Sequence, residues 1–112
     1  MKKKELAFDI DGVICSSKTN NYRESKPNVN AIKRINDLYK NGHKIIIFTA
    51  RYMGRTNNNK DEAIKLGYSQ TEDQLKSWGL KYHELIFGKP SFDLLIDDKA
   101  YNYSESWIDE IK

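Results

Sequence analysis

Two pairs of acidic residues follow apolar runs in this sequence. Asp9 and Asp11 close an apolar, strand-like stretch near the start of the chain, and Asp97 and Asp98 follow a second apolar run. Side chains alternate along a strand, so carboxylates two residues apart point to the same side. Several acids at one sheet edge repel one another and need a hard cation such as Mg²⁺. One carboxylate of such a group can attack phosphorus, and a neighbouring one can protonate the leaving oxygen.

Three further polar side chains stand at or after the ends of apolar runs and suit a phosphate group. Thr49 offers a hydroxyl, Lys89 a cation, and Arg51 a guanidinium two residues after Thr49. Taken singly, these features have commoner structural explanations: a turn for each acidic pair, a β-branched strand residue for Thr49 and an exposed loop residue for Lys89. Their joint order along the chain favours a shared phosphate site.

The spacing of apolar residues predicts the elements that must position these side chains. Strands are predicted over 5–10, 44–49, 85–87 and 94–96. A helix over 31–39, capped by Gly42, lies between the first two strands, and a short helix from a capping box at 71–74 to Gly79 lies between the second and the third. A last helix, capped by Ser104, follows the strands and is expected to bury Trp107, Ile108 and Ile111. Four consecutive large apolar residues at 45–48 indicate a strand buried on both faces. This alternation predicts an α/β fold with a mainly parallel sheet, in which ligands bind at the carboxyl ends of the strands.

Composition limits the class of protein. The chain has 112 residues and a formal net charge of +3, which suits one domain and gives no strong electrostatic field. We expect a single domain over 1–112 with a polar flap over 13–27. The single cysteine, Cys15, excludes an internal disulfide and fits a cytoplasmic protein, and no apolar run predicts a membrane span or a signal peptide. His43 and His83 begin predicted strands, at the end away from the site, and are expected at the surface.

Four segments resemble the motifs of the haloacid dehalogenase superfamily. They are 9–14 (Asp-Ile-Asp-Gly-Val-Ile), 45–51 (Ile-Ile-Ile-Phe-Thr-Ala-Arg), 88–90 (Gly-Lys-Pro) and 94–98 (Leu-Leu-Ile-Asp-Asp). The resemblance covers nearly the whole chain. It implies a three-layer, Rossmann-like α/β sandwich and a Mg²⁺-dependent phosphatase that works through an aspartyl-phosphate intermediate.

The resemblance also implies a role for each of the four acids. Asp9 would be the nucleophile and a Mg²⁺ ligand. Asp11 would be the general acid/base, with its backbone carbonyl on the metal. Asp97 would bind the metal directly, and Asp98 would bind it directly or through water. Cys15 receives no chemical role, because the family nucleophile is the aspartate.

The remaining motif residues would hold the substrate. Thr49 would hydrogen-bond the phosphoryl group, and Lys89 would stabilise Asp9 and the phosphoryl charge. Many relatives have a helix between their third and fourth motifs, whereas Lys89 lies close before Asp97 here, so Lys81 is the substitute candidate. The substrate-binding set expected from the resemblance is Arg51, Gly12 and Ala50.

Neither the 13–27 segment nor the segment after Thr49 has room for the cap domain that many relatives carry. The chain therefore resembles a capless member, whose open site must be closed by the flap, by a neighbouring subunit of a homo-oligomer or by a large substrate. Arg23 and Lys26 on the flap, and Arg55 after Thr49, are candidates for contact with anionic groups of the substrate.

The leading hypothesis is a phosphomonoesterase. A looser resemblance to small capless proteins that accompany capsule or surface-polysaccharide genes implies a phosphorylated sugar or a related small metabolite as substrate. Its residues are Thr49-Ala50-Arg51, Trp78-Gly79, Phe87-Gly88-Lys89-Pro90 and Ile96-Asp97-Asp98-Lys99-Ala100. No membrane partner is expected, because no apolar run is long enough to span a bilayer. One alternative is a polynucleotide 3′-phosphatase, although no surface of aromatic and basic residues stands out in the sequence. Another alternative is a non-catalytic phosphate-binding module with the same fold.

Overall fold

Five strands and three helices make up the computed structural model, which describes residues 2–18 and 21–111. In chain order they are β1 Glu5–Phe8, β2 Cys15–Ser16, β3 Lys26–Pro27, α1 Val29–Lys40, β4 Lys44–Thr49, α2 Lys60–Ser77, β5 Glu84–Phe87 and α3 Trp107–Glu110, with one-turn 3-10 helices at Tyr22–Glu24 and Gly54–Thr56. The described part of the chain contains no helix that is both long and apolar enough to cross a membrane.

The central sheet has three parallel strands in the order β1-β4-β5. Phe8 at the end of β1 lies opposite Ile47 of β4, and Thr49 at the end of β4 lies opposite Phe87 of β5. In β4, Ile45 and Ile47 are buried, while the side chains on the other face are half-buried. The α/β fold with a parallel sheet is thus confirmed, and the carboxyl ends of the three strands lie at one edge.

The first helix follows the predicted pattern. The Asn28 side chain accepts a hydrogen bond from the Ala31 amide (3.1 Å) and caps α1, which buries Ile32, Ile35 and Leu38. Gly42 takes the left-handed conformation (φ +96°) just after the helix, as a C-terminal cap requires.

The second helix begins earlier than predicted. Asn59, and not a capping box at 71–74, starts α2, since its side-chain oxygen accepts from the Glu62 amide at 3.1 Å. Thr71 lies inside the helix and is buried, and so is Gly67 one turn before it. The periodic signal is weak because only Leu75 of the four buried residues of this helix is a large apolar residue. The helix ends close to the predicted Gly79.

The predicted strand over 94–96 is wrong. This stretch contains neither helix nor strand, and Leu94, Leu95 and Ile96 are 77%, 50% and 90% exposed. An apolar run forms a buried strand only when a neighbouring strand and a covering layer receive it, and here the segment lies outside the sheet. In the last helix, Trp107 is buried against Phe8 (5.3 Å between ring centroids), but the helix begins after Ser106 instead of Ser104.

The structure also shows the conformation of the flap and the burial of the two histidines. The antiparallel pair β2–β3 folds part of the 13–27 segment into a short hairpin. His83 is exposed, as expected, and its Nδ1 accepts from the Ile45 amide at 3.0 Å. The surface prediction for His43 is wrong: His43 is 1% exposed, and its Nδ1 accepts from the Lys4 amide at 3.1 Å, which holds the residue before β4 against the residue before β1.

Candidate functional site

Asp9 lies just beyond the end of β1 with both carboxylate oxygens in contact with donors. Its Oδ1 accepts from the Ile10 amide at 2.8 Å, and Lys89 Nζ lies 3.1 Å from Oδ2. The Lys89 amide also donates to the Thr49 carbonyl at 3.2 Å, which fixes the chain after β5 beside the end of β4. The exposed Lys81 precedes β5 and therefore stands at the other end of that strand. The structure thus brings Lys89, and not Lys81, to Asp9.

A tight turn follows the two acids. The Ile10 carbonyl accepts from the amides of residues 13–15 at 3.1, 2.8 and 3.3 Å, and Gly12 adopts φ +88°. An L side chain is strained in that region, so glycine lets the chain leave the sheet directly after Asp11. Gly12 therefore serves the turn after the two acids.

Asp11 is held by a bidentate ion pair with Arg51. Arg51 Nε donates to Oδ2 and Nη2 donates to Oδ1, both at 3.0 Å, and the Ser17 hydroxyl donates to Oδ1 at 2.5 Å. Arg51 is 1% exposed, whereas the Asp11 side chain is 27% exposed at the cavity, so the guanidinium is withdrawn from water and the carboxylate is only partly so. Removing the carboxylate would be costly, because it would leave Arg51 as a buried charge without compensation. The pair therefore fixes the orientation of the Asp11 carboxylate.

The other guanidinium nitrogen of Arg51 connects the sheet to α2. Nη1 donates to Thr71 Oγ1 at 3.3 Å and to Gln74 Oε1 at 2.6 Å. Thr71 and Gln74 are three residues apart and share one face of the helix. The sequence pattern that suggested a capping box is used here to hold an arginine. Arg51 borders the cavity, but its donors are directed at protein acceptors, which makes it a positioning residue for Asp11.

Thr49 has a similar internal task. Its hydroxyl accepts from the Arg51 amide at 3.0 Å, and the residue is fully buried. The described residues around the cavity do not include Thr49, so its hydroxyl shapes the turn that carries Arg51.

An open cavity of about 760 Å³ lies at this sheet edge. Its wall is formed by Asp9, Asp11, Ser17, Tyr22, Ala50, Arg51, Tyr52, Gly54, Arg55 and Ser91. Of the predicted substrate-binding residues, Ala50 and Arg51 border it and Gly12 does not. The cavity wall in the described part of the chain contains neither Arg23 nor Lys26.

Two tyrosines and Arg55 were not singled out together by the sequence. The rings of Tyr22 and Tyr52 meet edge to face with 4.9 Å between centroids, and the Arg55 guanidinium lies 5.3 and 4.7 Å from the two centroids. Tyr22 also lies under the Arg51 guanidinium at 4.7 Å. Tyr22 comes from the flap and Tyr52 from the loop after β4, so only the fold brings them together.

Cys15 lies close to Asp11, and its thiol is buried. Its Sγ is 3.5 Å from Asp11 Oδ1 and the residue is 3% exposed. Burial raises the pKa of the Cys15 thiol, and the Asp11 charge acts in the same direction. A protonated thiol is a poor nucleophile, and no chemical step is assigned to Cys15.

Asp97 and Asp98 are not brought to Asp9 and Asp11. Both are exposed, and the Asp97 side chain accepts from the Lys99 amide at 2.9 Å in a local turn. Within residues 2–18 and 21–111, no group of three or more His, Cys, Asp or Glu side chains is placed to hold a metal ion. Asp9 and Asp11 are each paired with a protein cation instead. This arrangement does not fit the Mg²⁺ site that the resemblance implies.

Comparison with known proteins yields a structural neighbour. No family model matches this chain, and no curated protein matches it. The chain is similar to a crystal structure of a structural genomics target from Vibrio cholerae, with a TM-score of 0.80 and 26% sequence identity. The similarity covers 97% of this chain and 95% of the other. It supports the α/β architecture over nearly the full length of both chains.

Proposed function

We propose that this protein is a phosphomonoesterase whose nucleophile is Asp9, acting on a small phosphorylated metabolite. The observation that carries the proposal is the contact between Lys89 Nζ and Asp9 Oδ2, made by residues 80 positions apart in sequence. Asp9 belongs to the cavity wall, and Lys89 contacts it from outside that wall. A carboxylate with a cation beside it, at the carboxyl end of a parallel strand, suits attack on a phosphate whose charge the same cation stabilises.

The chemistry balances in two steps. An oxygen lone pair of Asp9 forms a bond to phosphorus, the ester P–O bond breaks, and the leaving oxygen takes a proton. Water then attacks the aspartyl-phosphate and gives a proton to the carboxylate that protonated the leaving oxygen, the bond between phosphorus and Asp9 breaks, and inorganic phosphate leaves. Lys89 supports the negative charge of the transferring group in both steps.

Asp11 is the candidate proton donor and acceptor, because it is the other carboxyl group in the cavity wall. Both of its oxygens accept from Arg51, and one also accepts from Ser17. Its acid role requires that one of these hydrogen bonds be exchanged for a bond to the leaving oxygen. Arg51 then keeps the carboxyl group aligned through the remaining contact.

The finer fold and the metal are part of the same proposal. The resemblance implies a three-layer, Rossmann-like core and a Mg²⁺ requirement, with Asp97 and Asp98 as ligands. Because the described arrangement does not fit the ion, no step above is assigned to it. Phosphate release with added Mg²⁺ and with a chelator, in the natural protein and in Asp97→Asn, tests this requirement directly.

One observation favours the polynucleotide 3′-phosphatase as a second candidate. Tyr22 and Tyr52 alternate with Arg51 and Arg55 around the cavity, and aromatic rings interleaved with cations are typical of single-stranded nucleic-acid binding.

A phosphorylated sugar of the kind used in surface-polysaccharide synthesis is the first candidate substrate. A non-catalytic phosphate-binding module is the alternative that would show binding without turnover.

The decisive experiment is phosphate release by Asp9→Asn. An amide has no anionic oxygen to attack phosphorus, so we expect a loss of at least about a thousandfold in kcat with sugar phosphates and with a 3′-phosphorylated oligonucleotide. Asp73→Asn, an exposed substitution on α2 of the same chemical kind, is the matched control and should keep its rate. Residual activity of Asp9→Asn near that of the control would remove Asp9 as the nucleophile.

A further inference from the structure

The outer part of the cavity contains side chains that the proposed reaction at Asp9 does not use. Arg55 is exposed there, with its guanidinium 4.7 Å from the Tyr52 ring centroid and 5.3 Å from that of Tyr22. Arginine contacts aromatic rings through its face and can still donate hydrogen bonds from its edge to a carboxylate or a phosphate. An arginine supported in this way is suited to bind an anion.

The support under Arg55 is fixed. Tyr52 has φ +65°, a conformation that is uncommon for a bulky residue. Its ring packs directly on Gly67 of α2, where an added Cβ would lie only 2.0 Å from a ring carbon. The Thr56 hydroxyl donates to the Tyr52 carbonyl at 2.6 Å and closes the turn that carries Arg55. Strained backbone held by its surroundings is concentrated at functional sites.

Tyr22 is anchored independently. Gln74 Nε2 donates to the Tyr22 carbonyl at 2.7 Å, and the ring stacks on Arg51. Arg51 itself is buried and directs its donors to Asp11, Thr71 and Gln74. The two arginines of the cavity wall therefore differ in exposure: Arg51 is buried and orients Asp11, and Arg55 is exposed.

We infer that Arg55, held by Tyr22 and Tyr52, binds a second anionic group of the substrate, so that the preferred substrates are phosphomonoesters that also carry a carboxylate or a further phosphate. This inference rests on the proposed function, because it places the reacting phosphate at Asp9 in the same cavity. It narrows the substrate class from phosphorylated metabolites in general to those with two separated anionic groups.

Two pairs of probes test the inference. Glycerol 3-phosphate and 3-phosphoglycerate each carry one phosphate on a three-carbon chain, but the first ends in a hydroxymethyl group and the second in a carboxylate. In the second pair, glucose 1,6-bisphosphate carries a further phosphate that glucose 6-phosphate lacks. We expect kcat/KM to be about tenfold higher for the doubly anionic member of each pair, since a charge-assisted hydrogen bond contributes at least that factor.

Arg55→Gln should reduce this ratio to near one, mainly through KM, and Arg55→Lys should keep part of it. Lys65→Gln removes an exposed cation of α2 that does not border the cavity and should leave the ratio unchanged. If Arg55→Gln lowers the values for both members of a pair equally, the second anion site is refuted.

A binding measurement separates this inference from the proposed reaction. In Asp9→Asn, calorimetry should show 3-phosphoglycerate binding about tenfold more tightly than glycerol 3-phosphate, and the added Arg55→Gln should remove the difference. If this pattern holds while the natural protein releases no phosphate, the anion site stands and the phosphatase proposal falls. If phosphate is released with no preference between the paired substrates, the phosphatase proposal stands and the second anion site is refuted.

Discussion

Replacing Gly67 with alanine measures how tightly the Tyr52 ring is held against α2. Gly67 is buried in the middle of the helix, and a Cβ built there lies 2.0, 2.4 and 2.8 Å from three carbons of the Tyr52 ring. Optimal carbon–carbon separations are about 3.5–4.0 Å, so the ring or the helix must move by more than about 1 Å. Tyr52 borders the cavity, and its displacement would change the site as well as the stability.

Two opposing contributions determine whether Gly67→Ala raises or lowers the free energy of unfolding. Alanine is favoured over glycine inside a helix by about 1 kcal/mol. Overpacking of a close contact costs about 1–3 kcal/mol and occasionally more, and contacts this short belong at the upper end of that range. We therefore expect Gly67→Ala to lower the free energy of unfolding by about 2 kcal/mol.

Urea denaturation of four proteins tests this reasoning: the natural chain, Gly67→Ala, Tyr52→Ala and the double variant. Without the Tyr52 ring, Gly67→Ala should stabilise the protein by about 1 kcal/mol, because only the helix preference remains. The coupling free energy between the two sites is then about 3 kcal/mol. A stabilising effect of Gly67→Ala in the natural background, or additivity of the two substitutions, would refute the packing of Tyr52 on Gly67.

Two further predictions concern the residues around Asp11. Arg51→Met should lower the free energy of unfolding by about 2 kcal/mol, because the charge-assisted hydrogen bonds of the buried guanidinium to Asp11 and Gln74 are lost, while Asp11, which is 27% exposed, can still be hydrated. Urea denaturation should show a loss below about 1 kcal/mol for the exposed control Arg23→Met, and an equally small loss for Arg51→Met would contradict the pair. Cys15, the only cysteine, should react slowly with iodoacetamide at pH 8 in the folded protein, because burial raises its pKa. The unfolded chain loses the thiol proton at lower pH than the folded one, so the contribution of this group to stability should decline above about pH 8.5, and Cys15→Ala should lack that part of the decline.

Local patterns predicted the parts of the fold whose cause is local. The run 44–49 is rich in β-branched residues and forms β4, and the spacing of Ile32, Ile35 and Leu38 forms the buried face of α1. Asp9 and Gly12 could also be placed from sequence, because one ends a strand and the other permits the turn after it. These features depend on residues within one or two turns of each other.

The same local patterns failed where an element needs a distant partner. The run 94–96 has the composition of a buried strand, yet its side chains are exposed, because no strand of the described sheet receives it. The pair Thr71 and Gln74 has the spacing of a capping box, yet both side chains accept from Arg51 inside α2. In each case the local sequence pattern is present, but the structure that it forms depends on which distant residues pack against it.

A small α/β chain with Asp9 and Asp11 at the end of a strand, and with candidate cations later in the chain, can be predicted from the residues alone. The pairing of cations with acids depends on the folded chain: Lys89 contacts Asp9 and Arg51 contacts Asp11, across 80 and 40 positions. The folded chain also places the rings of Tyr22 and Tyr52 beside Arg55 in one cavity wall. The physical reason is that periodicity reports the neighbours of a residue along the chain, whereas charge pairing and ring stacking depend on how parallel strands and the connecting segments converge in space.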